Sequence, residues 1–220
     1  KLSGRSLFLI DGKNADAYLL ANKSGELFLV EASSPGIEVI ELTTVDKTRT
    51  SIELILKDVN ADLLSGSSDK SVIEKVLDAG RIMLAADTVG AAQVMLDKSV
   101  AYSLERKQFG RLIGSFQAVK HMCAEMAAEL EPCHSMIWHA AHCFDNVPEE
   151  ARLMACQTKA HISEVGQKVS KTATEVHGGM GFTDELGLHY WFKRIGLNKQ
   201  LLGSPELIRE EAGKLQGFDQ

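Results

Sequence analysis

Two rhythms of hydrophobic and polar positions divide the chain. Up to about Asp62 the apolar residues come in short runs cut by turn residues. Leu7-Phe8-Leu9-Ile10 stops at Asp11-Gly12, and Ala17-Tyr18-Leu19-Leu20-Ala21 stops at Asn22-Lys23-Ser24-Gly25. Leu27-Phe28-Leu29-Val30 and Ile37-Glu38-Val39-Ile40-Glu41-Leu42 lie either side of Ser34-Pro35-Gly36. Two more strands are expected, near 49–57 and around Val59. Ile37 and Val39, and less cleanly Ile52, Leu54 and Leu56, alternate as a half-buried strand does. Residues 1–66 therefore read as a small antiparallel β-unit.

After Ser65-Gly66-Ser67-Ser68 the period becomes helical. A long helix is expected over about 71–104, with Val72, Val76, Ile82, Met83, Ala86, Val89 and Val94 on its apolar faces. Gly114-Ser115-Phe116 opens a second, running to about Asn146 on a stripe of Val119, Met122, Met126, Leu130, Met136 and Ile137. Pro132 lies inside it, a residue type that bends helices. Val147-Pro148-Glu149-Glu150 starts a third, with proline in the first turn and acids at the positive dipole end, and Gly178-Gly179 stops it. Thr183-Asp184-Glu185 is expected to cap a fourth helix and Ser204-Pro205-Glu206 a short last one. Long helices with short connections make residues 67–220 an antiparallel four-helix bundle, and the whole chain an α+β fold.

Composition narrows the function. The 220 residues are 45% hydrophobic and 25% charged, the balance of a soluble globular protein of one or two domains. A net charge of −6 and a pI near 5.7 exclude general nucleic-acid binding, which needs a basic face. The aromatic and basic run from Leu188 to Arg194 does not change that. No apolar run approaches the ~18 residues of a membrane span. The opening Lys1-Leu2-Ser3-Gly4 has no apolar signal-peptide region. Cys123, Cys133, Cys143 and Cys156 form no C-x-x-C pair and read as small buried side chains in a reducing compartment. His139 and His142 share a helix face, but no fourth ligand has the usual zinc spacing, so no metal site is expected.

Two segments concentrate chemistry. The first runs from Glu105 to Gln117 and packs cations, amides, aromatics and two glycines between long helices. Arg106 suits a phosphate, Phe109 or Phe116 a flat ring, and Gln117 its edge. A polar helix connection with two buried phenylalanines fits the same composition. The second, Glu175-Val176-His177-Gly178-Gly179-Met180-Gly181-Phe182-Thr183, has paired glycines that admit a ligand to the backbone or simply end a helix.

Together these segments resemble the two signatures of the acyl-CoA dehydrogenase family. Arg106-Lys107-Gln108-Phe109-Gly110 with Ile113-Gly114-Ser115-Phe116-Gln117-Ala118-Val119-Lys120-His121 is similar to one, and His177-Gly178-Gly179-Met180-Gly181-Phe182-Thr183 to the other. Residues 1–66 resemble the second half of the family's central β-domain. The resemblance covers essentially the whole chain and implies the C-terminal part of a longer protein. It implies a flavoprotein of fatty-acid metabolism, an oxidoreductase that turns an acyl-CoA thioester into its 2,3-enoyl product. The cofactor is FAD, in an oligomer in the cytoplasm or, in a eukaryote, the mitochondrial matrix. Carried over, Arg106, Gln108, Phe109, Phe116, Gln117, Glu175, Gly178 and Gly179 would contact the FAD of a partner subunit. Glu175 stands where members often have Gln. Phe8 falls where many place a Trp against the flavin, and Ile10 where many place a Thr.

The family's reaction needs a carboxylate to take the thioester α-proton while the flavin accepts hydride. The two positions that supply it in the family correspond to Leu202 and Gly80, so both are empty. Arg81, which follows the second, is present and implies a substrate contact. Asp87, seven residues along the same helix, is the candidate replacement base, or else bonds a neighbouring helix or faces solvent. The alternative is a non-catalytic subunit of a heteromeric acyl-CoA dehydrogenase that lends FAD contacts to a partner.

Overall fold

The structure is a computed structural model describing residues 1–218. It divides into two compact units, Lys1–Val76 and Leu77–Gln220.

The first unit carries two three-stranded antiparallel sheets. One has β5 (Ser51–Val59) at its centre, flanked by β1 (Leu2–Ile10) and β4 (Ile37–Leu42). The other runs β2 (Ala17–Ala21), β3 (Leu27–Glu31) and β6 (Asp62–Leu63). The two strands expected near 49–57 and Val59 are thus one, because a central strand is held by ladders on both edges and needs no break. Ile52, Leu54, Leu56 and Val59 of β5 pack with Tyr18 and Val30 in one core. Val39 does not share it and is exposed. A register break between Ser6 and Leu9 puts a bulge in β1, where Phe8 takes a left-handed φ of 58°. Bulges re-aim side chains, and the Phe8 ring is exposed.

The second unit is helical, and its first helix starts just ahead of it. Helices α1 (Lys70–Glu105), α2 (Gln117–Asn146), α3 (Pro148–His177) and α4 (Leu188–Gln200) make the bundle. The short α5 (Pro205–Leu215) packs Ile208 and Ala212 on Cys156 and Ala160 of α3. One core takes Ala85, Val89, Ala92, Met95 and Leu96 from α1, Met126, Leu130 and Cys133 from α2, Ile162 to Val176 from α3, and Leu188 and Ile195 from α4. The expected α2 stripe is buried or half-buried throughout. On α1, Val76, Met83 and Ala86 are exposed instead, and the core face carries Ala85, Val89, Ala92, Met95 and Leu96. α2 continues through Pro132.

The start of α4 differs from expectation. Thr183 donates its hydroxyl to the Met180 carbonyl (2.9 Å), closing the preceding turn, and α4 begins five residues later behind left-handed Gly187. Cys133, Cys143 and Cys156 are buried as expected, Cys123 half-buried, and all four thiols are free. Burial pushes Cys133 and Cys156 up to about 11. Among the described residues no helix is long and apolar enough to cross a membrane.

Candidate functional site

The two signature segments meet. α1 ends at Glu105, and the chain folds back through a two-residue-a-strand hairpin, β7 (Lys107–Gln108) and β8 (Arg111–Leu112). Its base is tied by the Ile113 N–H, which donates to the Arg106 carbonyl at 2.8 Å. The turn is Phe109-Gly110, with φ of 52° and 77°. Two positive φ values in succession match the twist of a tight hairpin, and usually bring Asn or Gly at the first place. A bulky Phe there is strained, and its ring is 90% exposed. A side chain held at a backbone cost and given no core contact is presented outward. Phe116, which precedes α2, stands edge-on to it at 6.1 Å between ring centroids. The Arg111 guanidinium lies 3.8 Å from the centre of the Phe116 ring, a cation–π contact.

Across from the hairpin, α3 ends at His177 and the chain turns through Gly178-Gly179. Gly178 has a φ of 59°, and a β-carbon built on Gly178 or Gly179 would meet nothing within 4 Å. The backbone there is open to a ligand. His177 is buried. Its Nδ1–H donates to the Ala173 carbonyl (2.7 Å) and its ring stacks on Tyr102 at 4.5 Å. Burial lowers its pKa, so it is a neutral wall of the site at pH 7.

The result is a groove of about 530 Å³, bounded by Arg106, Gln108, Phe109, Phe116, Glu175, Gly178 and Gly179. Those are seven of the residues singled out from sequence. Gln117, at the first position of α2, is exposed but does not line it. Tyr102, Ile113 and Met180 line it and were not singled out. Ile113 and Met180 lie inside the two signatures with no role assigned to them, whereas Tyr102, on α1, lies outside both and reaches the groove only through tertiary placement. Rings, an exposed guanidinium and open glycine backbone suit a flat ligand carrying an anion. Glu175, exposed on the same groove, opposes that anion.

The other candidate residues lie elsewhere in the helical unit. Gly80 of α1 and Leu202, in the loop between α4 and α5, face each other: a β-carbon at Gly80 would sit 2.5 Å from Leu202 Cδ1. The two positions that the resemblance assigns to the base converge on one spot, and that spot holds an isobutyl group. Leu202 is in the left-handed region (φ 56°), and Arg81 Nε donates to its carbonyl at 3.3 Å. The same guanidinium is buried. It donates to Glu211 in a fork (3.2 and 2.7 Å), to Asp78 at 3.4 Å and to Cys156 Sγ at 3.2 Å. Glu211 also takes Arg152 at 2.5 Å. Arg81 therefore anchors the loop that carries Leu202.

Asp87 takes Nε and Nη2 of Arg194 at 2.8 and 2.7 Å and Nδ2 of Asn198 at 2.6 Å, joining α1 to α4. In the strand unit, Phe8 is exposed on its bulge and Ile10, half-buried, pairs with Ser51.

The profile described as "Acyl-CoA dehydrogenase, C-terminal domain" matches residues 70–214. A probable acyl-CoA dehydrogenase of Bacillus subtilis, YngJ, is 33% identical over 91% of this chain and 53% of its own length. The caffeyl-CoA reductase–Etf complex subunit CarC of Acetobacterium woodii is 39% identical over 50% of this chain and 29% of its own. Among solved structures, butyryl-CoA dehydrogenase from Megasphaera elsdenii superposes with a TM-score of 0.87 at 25% identity, covering 96% of this chain and 59% of that one. The chain thus spans about half the length of the Bacillus relative. It belongs to the acyl-CoA dehydrogenase family.

Proposed function

We propose that this chain is a subunit of an FAD-dependent acyl-CoA dehydrogenase that holds flavin but carries no base of its own. The observation that carries the reading is the contact between Gly80 and Leu202. A base must reach the α-carbon with a carboxylate, and here the convergent positions offer only hydrocarbon. Asp87, with both oxygens engaged by Arg194 and Asn198, serves as a tie between helices.

The groove supports the flavin half of the proposal. Arg106 would pair with the diphosphate of a partner subunit's FAD, Phe109 and Phe116 would pack against its adenine end, and the open Gly178-Gly179 backbone would let that cofactor approach. Bound FAD supplies the hydride acceptor. The α-proton of the acyl-CoA would then be taken by a related chain in a mixed oligomer. CarC, a relative, is by name a subunit of a caffeyl-CoA reductase–Etf complex, so membership of a heteromeric assembly has a precedent among relatives.

The test is anaerobic spectroscopy of the flavin-loaded protein with a panel of acyl-CoA thioesters. The flavin absorbance is expected to persist with this chain alone. It is expected to bleach once Leu202→Glu supplies a carboxylate or a related chain is added. Bleaching by an acyl-CoA without either would overturn the proposal, and its loss in Asp87→Asn would then assign the base to Asp87.

A further inference from the structure

Where α2 ends and α3 begins, three side chains of different chemistry converge. His139 and Cys143 sit one turn apart near the end of α2, and Glu150 belongs to the first turn of α3. Cys143 Sγ lies 3.7 Å from His139 Nε2 and 4.0 Å from Glu150 Oε2. All three donor atoms fall within 4.8 Å of one another. At such separations a thiol makes only weak hydrogen bonds, so mutual bonding does not account for the grouping. Nor do the groove or the Gly80–Leu202 contact use any of them.

The separations match those of ligands around one small cation. Zinc takes sulfur at about 2.3 Å and imidazole nitrogen or carboxylate oxygen at about 2.0–2.2 Å, so tetrahedral ligand atoms stand roughly 3.3–3.6 Å apart. The two edges that meet at Sγ are within about half an ångström of that range. His139 and Glu150 are exposed and Cys143 is buried. The sulfur is therefore the fixed inner vertex. The other two are free to close the remaining edge by side-chain rotation, leaving a fourth position for water. Glu149, next to Glu150 in the first turn of α3, is close enough for its negative charge to act on Cys143.

We propose that His139, Cys143 and Glu150 form a binding site for a single zinc-class divalent cation that clips the end of α2 to the start of α3. A thiol, an imidazole and a carboxylate favour zinc over magnesium or calcium, which seek all-oxygen shells. Binding breaks the Cys143 S–H bond, forms a metal–thiolate bond, and releases the proton to solvent with no change of oxidation state. Sequence spacing concealed the site because Glu150 comes from a different helix.

The test is titration of the reduced, chelator-treated protein with Co²⁺, followed by Zn²⁺ displacement and thermal melting. One Co²⁺ per chain is expected, with a thiolate-to-cobalt charge-transfer band, and Zn²⁺ is expected to abolish the band and raise the melting temperature. His139→Ala and Glu150→Gln, both at exposed positions, should weaken Co²⁺ binding at least tenfold while the fold persists. Cys143→Ser should remove the band. His142→Ala, one residue from Cys143, should leave binding unchanged. Absence of a charge-transfer band, or wild-type Co²⁺ affinity in both His139→Ala and Glu150→Gln, would overturn the proposal.

Discussion

Leu202 fills the space that a side chain on Gly80 would need, its Cδ1 2.5 Å from the missing β-carbon. The two residues are 122 positions apart in sequence, yet each determines what the other can be. Leu202 is part-exposed and its Cδ1 is the end of a flexible chain, so it can move aside. Replacing glycine by alanine inside a helix stabilises it by about 1 kcal/mol. Gly80→Ala alone should therefore leave stability within about 1 kcal/mol of wild type, as helix propensity and crowding offset each other. In a Leu202→Ala background the same change should be stabilising. A double-mutant cycle by urea denaturation should show a coupling of about 0.5–1 kcal/mol. Additivity would mean the two side chains do not share that space in solution.

The loop carrying Leu202 depends on Glu211. Burial works to raise the Glu211 pKa, but hydrogen bonds from Arg81 and the charges of Arg81 and Arg152 outweigh it and hold the carboxyl below its usual value. A carboxylate with a depressed folded pKa stabilises the protein above its unfolded pKa, about 4.3, and that stability is lost as pH falls through the folded value. Glu211→Gln leaves the Arg81 guanidinium buried without its forked partner and should cost about 2–3 kcal/mol at pH 7. The difference between variant and wild type in melting temperature should shrink as pH is lowered below about 4. A gap that stays constant with pH would assign the loss to packing.

Much of this architecture is written in local pattern. The strands 17–21 and 37–42 and the three long helices follow from period and turn residues, within a residue or two at their ends. What escaped depends on tertiary placement. The β7–β8 hairpin was hidden because Phe109 occupies a turn position where Asn or Gly is the usual signal. Thr183-Asp184-Glu185 fits a helix cap by residue type, but the Thr183 hydroxyl donates to the Met180 carbonyl in the turn before it instead of accepting from a helix N–H. Met83 and Ala86 fit an apolar stripe by spacing, yet the face of α1 that packs carries Ala85, Val89, Ala92 and Met95, and Met83 and Ala86 are exposed. The seven groove residues were legible as two motifs, and their convergence was not. Neither was the meeting of Gly80 with Leu202, which needs the α4–α5 loop to pass over α1.

Lys159 is about 1% exposed and donates from Nζ to the carbonyls of Asn198 (2.7 Å) and Lys199 (3.4 Å) and to the Ser163 hydroxyl (3.1 Å). It thereby satisfies carbonyls at the end of α4 that no further helical turn reaches. Burial, with a smaller contribution from Arg81, lowers its pKa to about 8. The unfolded lysine titrates near 10.4. Between those values the unfolded chain binds the additional proton, so stability rises with pH there. The cost of the buried charge is complete below pH 8 and is relieved toward pH 10. Relative to Lys159→Met, wild type should gain up to about 3 kcal/mol between pH 8 and 10.4, read from urea midpoints. Parallel pH curves for the two proteins would show that Lys159 keeps an ordinary pKa.

Phe109 separates stability from ligand binding. Its left-handed φ of 52° costs a β-carbon-bearing residue about 1 kcal/mol, and its 90% exposed ring gains little from packing in return. Phe109→Gly gives the turn a Gly-Gly pair, a favoured sequence at this geometry. The variant should melt at the same temperature as wild type or slightly higher. If the ring exists to meet the adenine end of FAD, flavin retention should nevertheless fall, with an affinity loss of about three- to tenfold, the size of one aromatic contact. Glu175→Gln should move affinity the other way, because it removes a negative charge from the groove that takes the diphosphate. Fluorescence titration of the two variants with FAD reads both effects. Unchanged affinity in Phe109→Gly, together with a raised melting temperature, would leave the strained turn without the role assigned to it.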